Sequence, residues 1–260
     1  MNFDQLLEAA QVRDVSTELI ETWIPQSKFV SAECDESSLS ITRVSKPWYG
    51  MAFGPSPKID SRWNEFSVTR STPLELTEHF RSTGAWDVYG IQTKPFDMEY
   101  RILSDFQQID SFIEKHAPTS SIRTSSSEVV AWVGIADVAL GALCKWESGR
   151  HVLSAIVVAS EKRGNGYGKS VTGALISEAH RRGICYVALG VFAENAAAIA
   201  TYKGLGFSEP PVVGETEFAR ETKIIPATAA KAVQIINALI RTMRTLIPAR
   251  RAASAFPPTA

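Results

Sequence analysis

Only three cysteines occur in 260 residues, and Cys34, Cys144 and Cys185 stand far apart with no CxxC spacing and no Cys/His cluster. That excludes a disulfide framework and a sequence-encoded zinc site, so no metal is expected and a reducing cytoplasm is the predicted setting. No apolar run approaches the roughly 20 residues a membrane span needs. The opening MNFDQLLEAAQVRD carries acidic residues where a secretory leader would carry lysine or arginine, so neither a leader nor a span is expected. Charge of one sign is also missing: 27 Lys and Arg face 28 Asp and Glu, for a formal net charge of −1. Bulk attraction to nucleic acid or to an anionic membrane is thereby disfavoured.

What is present falls into four stretches. Residues 1–95 open with a helical FDQLLEAAQVRDVSTELIETWI, then alternate extended runs (LSITRV, WDVYGIQT) with a helical LELTEHFRS. The aromatics Trp48, Tyr49, Trp63, Phe66, Trp86 and Tyr89 serve its core or line a pocket. Thr93 to Asp97, TKPFD, reads as a short joint because proline disfavours helix before it. Residues 98–225 are more regular: a strand MEYRILS, then a helix capped by Asp105 with Phe106, Ile109, Phe112 and Ile113 on one face. Three extended runs follow (EVVAWVGI, VALGALCKW, HVLSAIVVA), with links as short as Glu147 to Arg150, which implies an antiparallel meander. Helix, strand, helix and strand complete the unit, with Gly183 placed to close the first of these helices. The class predicted is mixed α/β rather than doubly wound.

Residues 227–247 read as an amphipathic helix whose apolar stripe includes Val233, Ile236, Ile240 and Met243. Such a stripe is expected to pack on the rest of the chain, with a homodimer contact or adhesion to a membrane surface as alternatives. Residues 248–260, small residues and prolines, read as a disordered tail.

The chemistry concentrates in EKRGNGYGKS, residues 161–170. A Walker loop would need glycine where Arg163 stands, and a dinucleotide fingerprint would need glycine where Lys169 stands. The remaining frame is Arg163-x-x-Gly166-x-Gly168, between an apolar strand and a helix. In such a turn glycines let the backbone approach an anion, and the helix start adds free N–H groups and its dipole. An ordinary glycine-rich turn is the plain alternative.

Context favours the anion loop. Upstream lies the strand Ile156-Val157-Val158. Downstream come Leu189-x-Val191, Asn195-x-x-Ala198-Ile199-x-x-Tyr202 and Leu205-Gly206-Phe207. In this order the segments of residues 98–225 resemble the GNAT superfamily of acyl-CoA-dependent N-acyltransferases.

The resemblance implies a GNAT fold, a mixed and mostly antiparallel sheet flanked by helices, with acetyl-CoA as co-substrate and an amine as acceptor. The strand ending at Val158 would splay from the one beginning near Cys185. The pantetheine arm would pair with the main chain of Ile156, Val157 and Val158. The amides of Arg163, Gly164, Asn165, Gly166, Tyr167, Gly168 and Lys169 would take the pyrophosphate. Asn195 would bond the arm or cap its helix, and Tyr202 would contact the cofactor and protonate the departing thiolate. The oxyanion formed on attack by a neutral amine would face the Val158 amide.

The base is less defined. The strand HVLSAIVVA has no carboxylate, and Val152 stands where some relatives have glutamate. His151, Ser154 through a water, Glu147 and Glu194 are the candidates, alongside proton loss to bulk water. His180 faces solvent. A small-molecule amine is the first acceptor expected, a protein N-terminus or lysine the second, and a non-catalytic acyl-CoA-binding module the rival. Residues 1–95 bear no second RxxGxG and resemble the degenerate half-domain some relatives carry, an acceptor-site wall.

Overall fold

The computed structural model describes residues 1–45, 48–69, 72, 80–208 and 220–226; the helix expected over 227–247 and the tail 248–260 lie outside them. The helices are α1 (Phe3–Val12), α2 (Thr17–Trp23), α3 (Phe106–His116), α4 (Tyr167–Arg181) and α5 (Ala196–Lys203). The strands of the first half are β1 (Phe29–Cys34), β2 (Leu39–Arg43), β3 (Tyr49–Phe53), β4 (Glu65–Thr69) and β5 (Phe80–Gln92). Those of the second are β6 (Arg101–Leu103), β7 (Val129–Ile135), β8 (Ala139–Lys145), β9 (His151–Val158), β10 (Tyr186–Phe192) and β11 (Arg220–Pro226).

Local signals account for the helix ends. Asn2 and Gln5 form a reciprocal capping box that starts α1. The opening helix is two helices rather than the single one expected. Asp14 adopts a left-handed φ of 55°, and the Ser16 hydroxyl accepts the Leu19 amide to begin α2. Asp105 caps α3 as its sequence predicts, and Ile109 and Ile113 are buried, but Phe106 is exposed. Gly183 and Ile184 close α4 by donating to the carbonyls of His180 and Ala179. The described end of LELTEHFRS, residues 80–82, is strand β5 rather than helix; long antiparallel pairing with β11 overrides helical propensity there.

Among the described residues the eleven strands form one sheet, ordered β1-β2-β3-β4-β11-β5-β10-β9-β8-β7-β6. The order has an internal symmetry. β1, β2 and β3 form an antiparallel meander whose last strand pairs in parallel with β4. β7, β8 and β9 repeat the meander, and β9 touches β10 in parallel. The final strand of each half then crosses over: β5 pairs with β10, β11 pairs with β4, and the two pair with each other, all antiparallel. The halves differ where chemistry would need them to. α4 lies between β9 and β10, whereas residues 54–64, between β3 and β4, hold no helix.

Helices cover both faces. α4 and α5 pack over Tyr89, Leu153, Val187, Leu189 and Val191. The α4 stripe of Val171, Leu175, Ile176 and Ala179 is fully buried as expected, at about 1.5–3 kcal/mol for each of the larger three. On the opposite face α1 and α2 cover Leu39, Ile41, Met51 and Val88, and α3 covers Trp132, Val152 and Val157. Trp23 of α2 touches both of these clusters and meets Trp146 edge-on at 4.9 Å between centroids. The ion pairs Glu21–Arg150 and Lys28–Glu147 sit beside that contact. Residues 93–97 are held against the same body: the Phe96 amide donates to Ser177 Oγ at 2.8 Å, and the Thr93 amide to the Cys185 carbonyl.

Candidate active site

The cleft is made by a sheet that stops pairing. β9 and β10 share a single paired position, Ala188 with Val152. Beyond it the two parallel strands diverge, so one edge of β9 from Leu153 to Val158 has no strand against it. Ser154, Ala155, Ile156 and Val158 are all partly exposed in the middle of an eleven-stranded sheet. A bulge marks the same place. Ala155 has φ 48°, and the register with β8 slips between Ala142↔Ser154 and Leu140↔Val157. Such a bulge bends the strand and re-aims its amides.

The glycine loop lies at the wide end of this opening. Gly164 and Gly166 have φ of +80° and +82°, with open space where a Cβ would stand. The left-handed backbone, and not crowding, is what requires glycine at these two positions. Gly166 is the N-cap of α4 with no side-chain cap, and the first turn carries no acidic residue. The amides of Tyr167, Gly168 and Lys169 are therefore left to an external acceptor. The Arg163 guanidinium turns away to the His116 carbonyl at 2.9 Å, and the Asn165 amide bridges the Lys162 and Arg163 carbonyls. What this loop offers an anion is main chain, with the exposed Lys162 and Lys169 side chains nearby.

Asn195 and Tyr202 share α5, seven residues or about two turns apart. Asn195 Oδ1 accepts the Ala198 amide at 3.2 Å and so caps the helix, which leaves its NH2 group to donate elsewhere. Tyr202 is buried, and burial pushes its phenol up to about 12. Its ring packs 5.7 Å from that of Phe207. A phenol of this kind is a poor acid toward a thiolate in water. Elsewhere in the sheet burial, with a smaller contribution from the Glu128 charge, pushes the Cys144 thiol up to about 12.

The base candidates separate by position. Glu147 is half-exposed at the β8–β9 turn, and its ion pair with Lys28 lowers its pKa, which makes it a link between the halves. Ser154 lies beside the buried Cys144 thiol. His151 sits opposite Lys145, one residue before Val152 and hence on the closed side of the opening. Burial first, and the Lys145 charge second, lower its pKa. Glu194 is exposed in the turn beside Asn195, at the cleft's mouth, and His180 is exposed on α4. Tyr49, Trp63, Phe66 and Tyr89 are buried core. Sequence reasoning missed the bulge at Ala155 and the insertion of β5 beside β10; neither has a local signal in residue type. Among the described residues no cluster of His, Cys, Asp or Glu could hold a metal, and no helix is long and apolar enough to cross a membrane.

Residues 85–207, from the middle of β5 to the end of the α5 turn, match the acetyltransferase (GNAT) family. No curated protein matches the chain. Among solved structures it is similar to a GCN5-related N-acetyltransferase from Sphaerobacter thermophilus, at 13% identity over 85% of this chain and 90% of that one, with a TM-score of 0.52. It is also similar to one from Kribbella flavida, at 10% identity over 87% and 96%, with a TM-score of 0.51. At such identities the likeness is one of fold, and it runs through both halves of the sheet.

Proposed function

Residues 85–207 belong to the GNAT superfamily of acyltransferases, and from that premise we propose that the chain moves an acetyl group from acetyl-CoA to the primary amine of a small molecule by direct attack. The observation that carries the reading is the single Ala188–Val152 pairing, with the uncapped glycine-loop helix at the wide end of the gap it opens. The residues fit the co-substrate. The free edge of β9 at Ile156, Val157 and Val158 can pair with pantetheine amides as an added strand would, independently of side chains. The loop amides from Arg163 to Lys169 hold the pyrophosphate, and the Asn195 NH2 reaches the arm.

Tyr202 holds its proton to high pH and delivers it to the sulfur as the C–S bond breaks. The Val158 amide stabilises the developing oxyanion. The amine must first lose a proton, and His151 and Glu194 are the side chains to test as its acceptor, against direct loss to water.

The test is thiol release from acetyl-CoA across a panel of primary amines and one lysine-containing peptide, for the wild type and Tyr202→Phe. Amine-stimulated release that collapses in the variant supports the reading. Stabilisation by acetyl-CoA without release from any acceptor would establish a binding module instead.

A further inference from the structure

The two halves meet over a residue that a central strand does not normally expose. Gly190 lies in the middle of β10, two residues past the last pairing with β9, and it is exposed. Strand alternation puts Leu189 and Val191 under α4 and α5, and turns Gly190 and Phe192 to the face of α2. A Cβ on Gly190 would lie 3.7 Å from the Trp86 ring and 3.9 Å from the Trp23 ring. Phe192, 43% exposed, lies against its cross-strand partner Trp86 with ring centroids 3.9 Å apart. Trp146 backs Trp23. Solvent thus reaches a backbone floor on the cleft wall, flanked by two tryptophans and ended by an exposed phenylalanine.

The aromatic faces of this wall favour a cation, so a protonated amine is attracted to them.

We propose that the slot over Gly190, between Trp23 and Trp86, is the acceptor subsite, and that it selects primary amines with a flat aromatic body over aliphatic amines and lysine side chains. This rests on the acetyl-transfer reading for the identity of the cleft, and it names the acceptor class. A side chain at position 190 would occupy the ring's place. Its backbone is ordinary extended strand, so a larger residue adds bulk without conformational strain.

The experiment compares phenethylamine with butylamine, in turnover with acetyl-CoA and in equilibrium binding to the coenzyme A-loaded protein read by tryptophan fluorescence. Wild type should favour phenethylamine by about 10-fold or more, as aromatic packing and cation–π contacts of ordinary strength give. Gly190→Leu and Phe192→Ala should each remove most of that preference, with the melting temperature and its rise on adding coenzyme A as folding controls. Equal use of both amines, or an undiminished preference in both variants, overturns the slot. Phenethylamine binding that Gly190→Leu abolishes, without turnover of any amine, sustains the slot and refutes the transferase reading. Absence of phenethylamine binding refutes the slot.

Discussion

Replacing the glycines of the anion loop separately divides backbone conformation from backbone approach. Gly168 is the second residue of α4 and has no left-handed φ; a Cβ there would meet only Val158 Cγ2, at 3.9 Å. Alanine is favoured over glycine in a helix by about 0.5–1 kcal/mol. For a chain of this size that corresponds to a melting temperature about 1–4 °C higher. The methyl nevertheless stands among the N–H groups of the first turn, where a phosphate oxygen would come to about 2.9 Å of nitrogen. Loss of one charge-assisted hydrogen bond costs about 1.5–3 kcal/mol, or roughly 10- to 150-fold in affinity. Gly168→Ala should therefore be more stable and bind acetyl-CoA worse. Gly166→Ala should behave differently: its φ of +82° costs an alanine about 1–2 kcal/mol with no clash to relieve, so its melting temperature falls. Thermal melts with and without coenzyme A, and calorimetric titration of acetyl-CoA, read both quantities. A Gly168→Ala protein with wild-type affinity would refute the claim that the anion rests against this backbone.

Tyr202→Phe keeps the ring against Phe207 and removes only the hydroxyl, so kcat should fall about 100- to 10,000-fold with the KM for acetyl-CoA unchanged. Because burial raises this phenol to about 12, it stays protonated below that pH, and wild-type kcat should show no alkaline fall that Tyr202→Phe abolishes below about pH 10. Glu178 is fully buried and accepts from Arg181, Arg182 and Tyr100, which holds its carboxyl down at about 2 against an ordinary 4.5. A depressed carboxyl stabilises the fold above its unfolded pKa and loses that contribution as pH falls through its folded one. Glu178→Gln should cost about 1–3 kcal/mol at pH 7, and its melting deficit should shrink between pH 4.5 and pH 2. Glu147→Gln breaks a half-exposed ion pair with Lys28, so kcat should be unchanged and stability should fall by at most about 1 kcal/mol.

Much of the second half was legible because its signals are local. Asp105, Gly183 and Asn195 mark helix ends by side-chain or glycine chemistry, and Gly164, Gly166 and Gly168 mark the loop. The spacing from Asn195 to Tyr202 sets one helix face. The first half was less legible. Its likeness to the second lies in strand order, and residues 54–64, between β3 and β4, carry neither an RxxGxG loop nor a helix to mark it. The exchange of β5 and β11 is set by pairings across more than a hundred residues, and β5 carries no residue pattern that announces a neighbour so distant. The break at Asp14 needed the Ser16 cap to be weighed above a continuous apolar stripe. Glu147 in the turn and His151 at the strand end were both base candidates; their surroundings, an ion pair with Lys28 for one and the closed side of the opening for the other, are tertiary.

The central claim is that acetyl-CoA lies between β9 and β10 with its pyrophosphate on the glycine loop. Hydrogen exchange with and without acetyl-CoA tests it most directly, since β9 from Leu153 to Val158 has one edge without a partner strand. The account predicts added protection across residues 153–170 and at 189–195, with none in β1 to β4 at residues 29–69. Protection confined to the first half, or absent from residues 153–170 at saturating acetyl-CoA, would contradict it.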